Sequence, residues 1–92
     1  MNNEEAYSRE WTVYILRCSD GTLYTGITTD VERRLHEHNQ VDSKAARYLK
    51  TRRPFELVYQ ENAPSRGEAM KRERAIKNLA RNRKLKLISG DI

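Results

Sequence analysis

One carboxylate stands where a helical pattern would place an apolar residue. Glu73 lies four residues after Ala69 and three before Ile76, within the apolar stripe of a helix predicted over Glu68 to about Leu79. A charge that faces a core is costly unless it is compensated, so the pattern leaves three interpretations: an ion pair with an arginine, a capping contact, or a divalent metal. Magnesium is compatible with a single carboxylate, because it keeps several waters and takes further oxygens from substrate phosphates.

Arg34 and His38 are the next candidates, since they are four residues apart on one face of a helix predicted to end near Asn39. Two potential cations side by side repel weakly unless an anion lies between them, and a bound phosphate would explain the pair. The guanidinium fork would grip the phosphate oxygens while the imidazole exchanges a proton. The alternative is that His38 is satisfied at the helix end while Arg34 points to solvent.

Tyr14 and Tyr24 lie on two predicted strands, where tyrosine most often serves packing. They can act together only if they share a face of the hairpin, and the length of the loop decides this. A two-residue loop puts them on opposite faces. A three-residue loop, Ser19-Asp20-Gly21 with a left-handed glycine, puts them together and makes Cys18 face Thr22.

A predicted α+β arrangement carries these candidates, in the order ββα(α)βαα: a small three-stranded sheet, made of a β-hairpin and a third strand, flanked by three or more helices. Capping boxes at Thr29–Glu32 and Ser65–Glu68 open two of the helices. The predicted strands are Trp11–Arg17, Thr22–Ile27 and Phe55–Gln60, and the predicted helices run from Thr29 to about Asn39, from Glu68 to about Leu79 and from Asn82 to Ser89, with a short helical turn at Ala45–Lys50.

Length and composition exclude several classes of protein. The 92 residues predict a single domain over 1–92, with 1–10 as a flexible acidic tail. No apolar run approaches the roughly 18 residues of a membrane span, and the polar start argues against a secretory signal. The single cysteine, Cys18, excludes an internal disulfide and a Cys/His zinc cluster, so we expect a reduced, cytoplasmic setting.

The net charge of +5 is concentrated in two basic stretches. Clustered lysine and arginine are typical of a surface that binds the phosphate backbone of a nucleic acid. The alternative is a solvated cationic face that only keeps the protein soluble. The candidate nucleic-acid-binding residues are Lys44, Arg47, Lys50, Arg52 and Arg53 in the first stretch, and Lys71, Arg72 and Lys77 in the second.

The spacing of these residues resembles the GIY-YIG nuclease superfamily over about Trp11 to Ile88. Val13-Tyr14-Ile15 and Tyr24-Thr25-Gly26 look like its paired signature, and the helix-borne Arg34 and His38 and the later Glu73 match its arginine, histidine and metal-binding glutamate. The stretch 23–35 is close to the small stand-alone bacterial branch of YhbQ-like proteins. The first signature reads Thr12-Val13-Tyr14 rather than Gly-Ile-Tyr, and no segment matches the C-terminal asparagine motif of larger relatives.

The resemblance implies a metal-dependent endonuclease that hydrolyses phosphodiester bonds of nucleic acid, DNA foremost, with little sequence specificity and a role in DNA repair or processing. The implied roles are a single Mg²⁺ or Mn²⁺ on Glu73, a base or water-orienting group at Tyr14 or Tyr24, a phosphate-holding Arg34, a His38 that relays a proton or holds water, and a Gly26 that allows close approach of the backbone.

We also expect no membrane association, a monomer or weak homodimer, and room for a protein partner that supplies targeting. Two alternatives come from other classes. One is a non-catalytic nucleic-acid-binding module with the same fold, and the other is an adaptor whose basic face meets an acidic protein.

Overall fold

The structure is a computed structural model, which describes residues 10–41, 46 and 49–90. The described residues form three strands and three helices, which confirms the predicted α+β class. The predicted acidic tail lies almost wholly outside them. In chain order the elements are β1 (Trp11–Arg17), β2 (Leu23–Thr28), α1 (Val31–Gln40), β3 (Glu56–Ala63), α2 (Arg66–Lys77) and α3 (Arg81–Ser89).

The sheet is antiparallel with the strand order β2-β1-β3, so the first strand of the hairpin is central. The hairpin closes through the three-residue loop. The Cys18 amide donates to the Thr22 carbonyl oxygen at 2.9 Å, and Gly21 takes a φ of 85°, a conformation that L side chains adopt only under strain. In this register Tyr14 lies opposite Gly26 while Leu16 lies opposite Tyr24, which confirms that the two tyrosines share a face.

Helices α2 and α3 cover one face of the sheet, and α1 with the segment before β3 covers the other. On the first face Val13 and Ile15 of β1 pack with Ala69 and Ile76 of α2 in one buried cluster. On the second face a separate cluster forms around the following buried residues: Tyr14, Leu16, Cys18, Leu49 and Phe55. Burial on both sides fixes the register of β1, because a slip of one residue would exchange the two faces.

The cap of α1 differs from the prediction. Asp30, not Thr29, is the N-cap, and its carboxylate accepts a hydrogen bond from the Arg33 amide at 3.0 Å. The charged carboxylate of Asp30 offers a stronger acceptor to the positive helix end than a threonine hydroxyl would. The second predicted cap is confirmed, since Ser65 Oγ accepts from the Glu68 amide at 3.2 Å.

Several other boundaries differ from the predicted ones by one or two residues: β2 runs over Leu23–Thr28, β3 begins at Glu56, α2 runs over Arg66–Lys77 and α3 begins at Arg81. β3 continues three residues past its predicted end at Gln60, because its antiparallel pairing with β1 runs on until Ala63 lies opposite Trp11. Of the predicted turn at Ala45–Lys50, the structure describes Ala46, Leu49 and Lys50, and the Leu49 amide donates to the Ala46 carbonyl at 2.9 Å.

Within the described part of the chain, none of the helices is long and apolar enough to cross a membrane.

Candidate active site

The rings of the two hairpin tyrosines lie close together on the second face of the sheet. Tyr14 is buried with 3% of its surface exposed, and its ring centroid lies 6.4 Å from that of Tyr24 at a tilt of 45°. This proximity follows from the three-residue loop, because the shared face makes Tyr24 a diagonal neighbour of Tyr14 across the strand pair.

His38 completes this aromatic cluster from the last turn of α1 and is fully buried. Its Nε2 lies 3.1 Å from the Tyr14 hydroxyl, and its Nδ1 accepts a hydrogen bond from the Ala46 amide at 3.2 Å. A nitrogen that accepts from an amide carries a lone pair, so the proton of the neutral ring sits on Nε2. His38 therefore donates from Nε2 to the Tyr14 oxygen.

The His38 ring is uncharged near neutral pH. Burial, followed by the positive charge of Arg34, lowers the pKa of His38 from its usual 6.5 to about 4. In the free protein, therefore, only Arg34 of this pair carries a positive charge near neutral pH. Both ring nitrogens have partners within the protein, the Tyr14 hydroxyl and the Ala46 amide.

Arg34 lies between the cluster and solvent, with 30% of its side chain exposed. One of its guanidinium nitrogens donates to Glu37 Oε1 at 3.0 Å, so it does not simply point to solvent as the alternative interpretation had it. Its charge and a hydrogen bond lower the pKa of Tyr14. Glu37 was not singled out from the sequence, although its spacing of three residues from Arg34 is a usable signal for such a pair.

Both tyrosines are nevertheless held in the protonated form. Burial first, then the neighbouring Tyr24 phenol and the Glu73 carboxylate, raise the pKa of Tyr14 well above its usual range, against the opposing effect of Arg34. The pKa of Tyr24 is also raised, first by burial and then by Glu73, while Lys77 and Arg34 lower it. Glu73 is among the charges that raise the pKa of both phenols, and its helix α2 packs against both strands of the hairpin.

Glu73 itself is half-buried, with 22% of its side chain exposed, and it forms an ion pair with Lys77 at 3.3 Å. Of the three interpretations of this carboxylate, the ion pair is present, but its partner is a lysine of the same helix and not an arginine. The described residues contain no group of three or more His, Cys, Asp or Glu side chains that could hold a metal. A single half-exposed carboxylate fits an ion such as Mg²⁺, which keeps most of its shell as water and phosphate oxygen.

Gly26 lies directly under the Tyr14 ring. A Cβ added at Gly26 would come within 2.6 Å of the Tyr14 hydroxyl oxygen and 2.7 Å of the carbon that bears it. No side chain fits there unless the buried ring moves. The glycine is thus needed for close approach of the strand to this tyrosine, as the sequence suggested.

Several of the predicted nucleic-acid-binding residues have partners within the protein. Arg53 donates from Nε to the His38 carbonyl oxygen at 2.7 Å and so secures the end of α1. Arg72 binds Glu61 at 2.8 Å on the opposite face of the sheet, and Arg52 pairs with Asp20 at 3.3 Å. Lys50 and Lys71 are exposed, whereas Lys44 and Arg47 lie outside the described residues.

Arg72 therefore stands apart from the tyrosine cluster, whereas the charge of Lys77 acts on the pKa of Tyr24. The reason is helical geometry. Arg72 and Glu73 are adjacent in α2, so their side chains diverge by more than a quarter turn, one toward β3 and the other toward the hairpin. Lys77 follows Glu73 by one helical turn and shares its direction.

Comparison with known proteins gives the same family. Residues 10–86 match the family model described as the GIY-YIG catalytic domain. A UPF0213 protein of Desulfotalea psychrophila is 56% identical over 80 residues, which are 87% of this chain and 72% of that protein. A UPF0213 protein of Staphylococcus saprophyticus is 51% identical over 77 residues, covering 84% and 92%. The solution NMR structure of a UPF0213 protein from Bacillus halodurans is 46% identical, with a TM-score of 0.55 over 87% of this chain and 83% of that one.

Proposed function

This chain belongs to the GIY-YIG family, and from that premise we propose that it is a metal-dependent endonuclease. Its substrate is the phosphodiester backbone of nucleic acid, DNA in the first place, cut with little sequence specificity during DNA repair or processing. The proposal places the protein in the cytoplasm, where the buried Cys18 stays a free thiol.

The convergence of donors on the Tyr14 hydroxyl carries this proposal. His38 Nε2 lies 3.1 Å from that oxygen, and Arg34 adds both a hydrogen bond and a positive charge. Donors that point at a phenol oxygen stabilise its anion, so they favour Tyr14 as a proton acceptor. Of the two tyrosines we therefore assign the base to Tyr14, and to Tyr24 the orientation of the attacking water beside it.

Burial opposes this role in the free protein, because it keeps Tyr14 protonated. The active state needs added positive charge near Glu73, whose carboxylate is one of the groups that raise the pKa of both phenols. A divalent ion held by Glu73 would supply that charge and neutralise the charge that develops on a phosphate oxygen.

We assign to Arg34 the role of holding the scissile phosphate. Its guanidinium group has five N–H donors in a planar fork, and Glu37 takes one nitrogen at 3.0 Å while fixing the orientation of the plane. The partial exposure of Arg34 lets a phosphate approach from solvent next to the buried tyrosines.

The test is nicking of supercoiled plasmid by the wild-type chain with Mg²⁺ or Mn²⁺ and with a chelator. We expect metal-dependent nicking, and a loss of at least about 100-fold in rate for Glu73→Gln and for Tyr14→Phe, the lower end of what a positioned acid or base contributes. Glu68→Gln is the matched control, since Glu68 lies on the same helix in an exposed pair with Lys71. It should nick like the wild type.

Equal nicking by the wild type and Glu73→Gln would contradict the assignment of this site. Salt-dependent binding of DNA without any nicking would instead indicate the non-catalytic module.

A further inference from the structure

Lys77 was predicted to bind the phosphate backbone, but in the structure it contacts one of the candidate catalytic groups. It is the last residue of α2, and its ammonium nitrogen lies 3.3 Å from Glu73 Oε2. Its charge also acts on Tyr24, where it opposes burial more than Arg34 does. The Lys77 ammonium group therefore forms an ion pair with the carboxylate proposed for the metal, and it also lowers the pKa of the Tyr24 hydroxyl.

A second lysine–glutamate pair on α2 provides a comparison. Lys71 lies 3.8 Å from Glu68, with the two side chains 80% and 57% exposed. The corresponding exposures of Lys77 and Glu73 are 52% and 22%, and their contact is shorter. Water screens the first pair strongly, whereas the half-buried Glu73 has more need of a cation, since its charge is less well solvated.

We propose that Lys77 is the resident cation of the Glu73 carboxylate, so that a divalent ion binds to the free protein only by displacing the ammonium group from the position it needs. This inference rests on the proposed function, because it takes Glu73 as the metal ligand. A lysine suits such an exchange, since its ammonium is a point charge on a flexible stem and is also a common ligand of phosphate.

The exchange gives the substrate a role in loading the metal. When Lys77 leaves Glu73, a phosphate held by Arg34 would offer the displaced ammonium another anion, since the charges of Lys77 and Arg34 both act on Tyr24. The phosphate thus accepts Lys77 while the ion takes Glu73. We expect affinity for the metal to be low in the free protein and to rise when nucleic acid is bound.

The test measures binding of Mn²⁺ to the full chain without nucleic acid, from the electron paramagnetic resonance signal of the free ion. Lys77→Met should lower the dissociation constant for Mn²⁺ by about tenfold, because one positive charge no longer competes at short range. Lys77→Arg keeps the charge and should stay near the wild type. Lys71→Met is the matched control for net charge and should also leave the constant unchanged, and Glu73→Gln should abolish binding in either background.

A dissociation constant for Lys77→Met that is equal to or higher than the wild-type value overturns the proposal, as does an equal tightening by Lys71→Met. Absence of Mn²⁺ binding in both the wild type and Lys77→Met overturns it as well. Circular dichroism on each variant checks that α2 is retained. If Lys77→Met tightens binding while the wild type nicks no DNA, the nuclease assignment fails and the role of Lys77 stands. Nicking without tightening supports the nuclease assignment and overturns the role of Lys77.

Discussion

At the scale of single residues, His38 shows how burial selects one of the roles open to a side chain. An exposed histidine titrates near neutral pH and could relay protons, but this one is buried and has an amide donor on Nδ1. It is left with a fixed N–H that points at Tyr14. The ring acts as a neutral hydrogen-bond donor, and that role does not change between mildly acidic and mildly basic pH.

This environment predicts a specific dependence of stability on pH. The unfolded chain binds a proton on His38 below about pH 6.5, whereas the folded protein does so only near pH 4. Because the unfolded state binds more protons in this window, the free energy of unfolding should fall as the pH is lowered from 6.5 toward 4, by up to about 3 kcal/mol. Urea denaturation at a series of pH values measures this.

The matched variant is His38→Gln, which cannot titrate, so its stability should change less than that of the wild type across the same window. The NMR signals of the His38 ring provide a direct check. They should show the proton on Nε2 and a titration midpoint near 4. A midpoint near 6.5 would contradict the structure.

At the scale of elements, the hairpin loop determines whether the two tyrosines meet. Gly21 allows the three-residue loop because it takes a φ of 85°, and no atom lies within 4 Å of where its Cβ would be. Gly21→Ala therefore tests backbone strain without a steric clash. We expect it to lower the free energy of unfolding by about 1 kcal/mol, as measured by urea denaturation followed by circular dichroism.

Gly67→Ala is the natural comparison, since Gly67 lies in the first turn of α2 with its nearest outside atom, Ser65 Oγ, at 3.9 Å. It should be neutral or raise stability by up to about 1 kcal/mol, because alanine favours a helix more than glycine does. A Gly21→Ala variant as stable as Gly67→Ala would show that the loop does not need the left-handed conformation.

The elements were predictable where local chemistry decides them. The β-branched and aromatic composition of β1 and the Ser65 cap are short patterns, and the structure reproduces both. The hairpin register was open between two loop lengths, and the three-residue loop followed only from the requirement that the tyrosines share a face. The end of β3 depends on how far its partner strand extends, and the choice of Asp30 over Thr29 depends on where the chain leaves β2. Neither is encoded in the local pattern.

The candidate site was likewise predictable only in part. Helical spacing was enough to place Arg34 beside His38, and the stripe on α2 identified Glu73 as unusual. The charge state of His38 could not be predicted, because it results from burial by residues distant in the chain. The partner of Glu73 was within reach, since Lys77 follows it at the spacing that helical ion pairs favour.

At the scale of the whole molecule, positive charge without a local partner collects on α2 and α3. Glu68 and Glu73 are the carboxylates of these two helices, and each pairs with a lysine of α2. Within the described residues, no carboxylate forms an ion pair with the following cations: Arg74, Arg81, Arg83, Lys84 and Lys86. This surface is therefore better suited to flanking phosphates than Arg72, which Glu61 neutralises.

We expect the double substitution Arg83→Gln and Lys86→Gln to weaken binding of duplex DNA. Each phosphate contact contributes about 0.9 to the slope of log affinity against log salt concentration, so this slope should become shallower by up to about 2. Fluorescence anisotropy at several salt concentrations measures it. Arg17→Gln with Arg33→Gln removes the same net charge from β1 and α1 and should leave the slope nearly unchanged. Equal effects of the two double variants would mean that net charge alone attracts DNA.

The hydrogen bond from Ala46 to His38 has a consequence for how this site can diverge. The donor is a main-chain amide, so nineteen of the twenty genetically encoded amino acids could supply it, and only proline could not. Selection on the tautomer of His38 would leave almost no trace in the identity of residue 46. Related proteins can therefore keep the hydrogen bond that fixes the tautomer of His38 while the amino acid at position 46 varies.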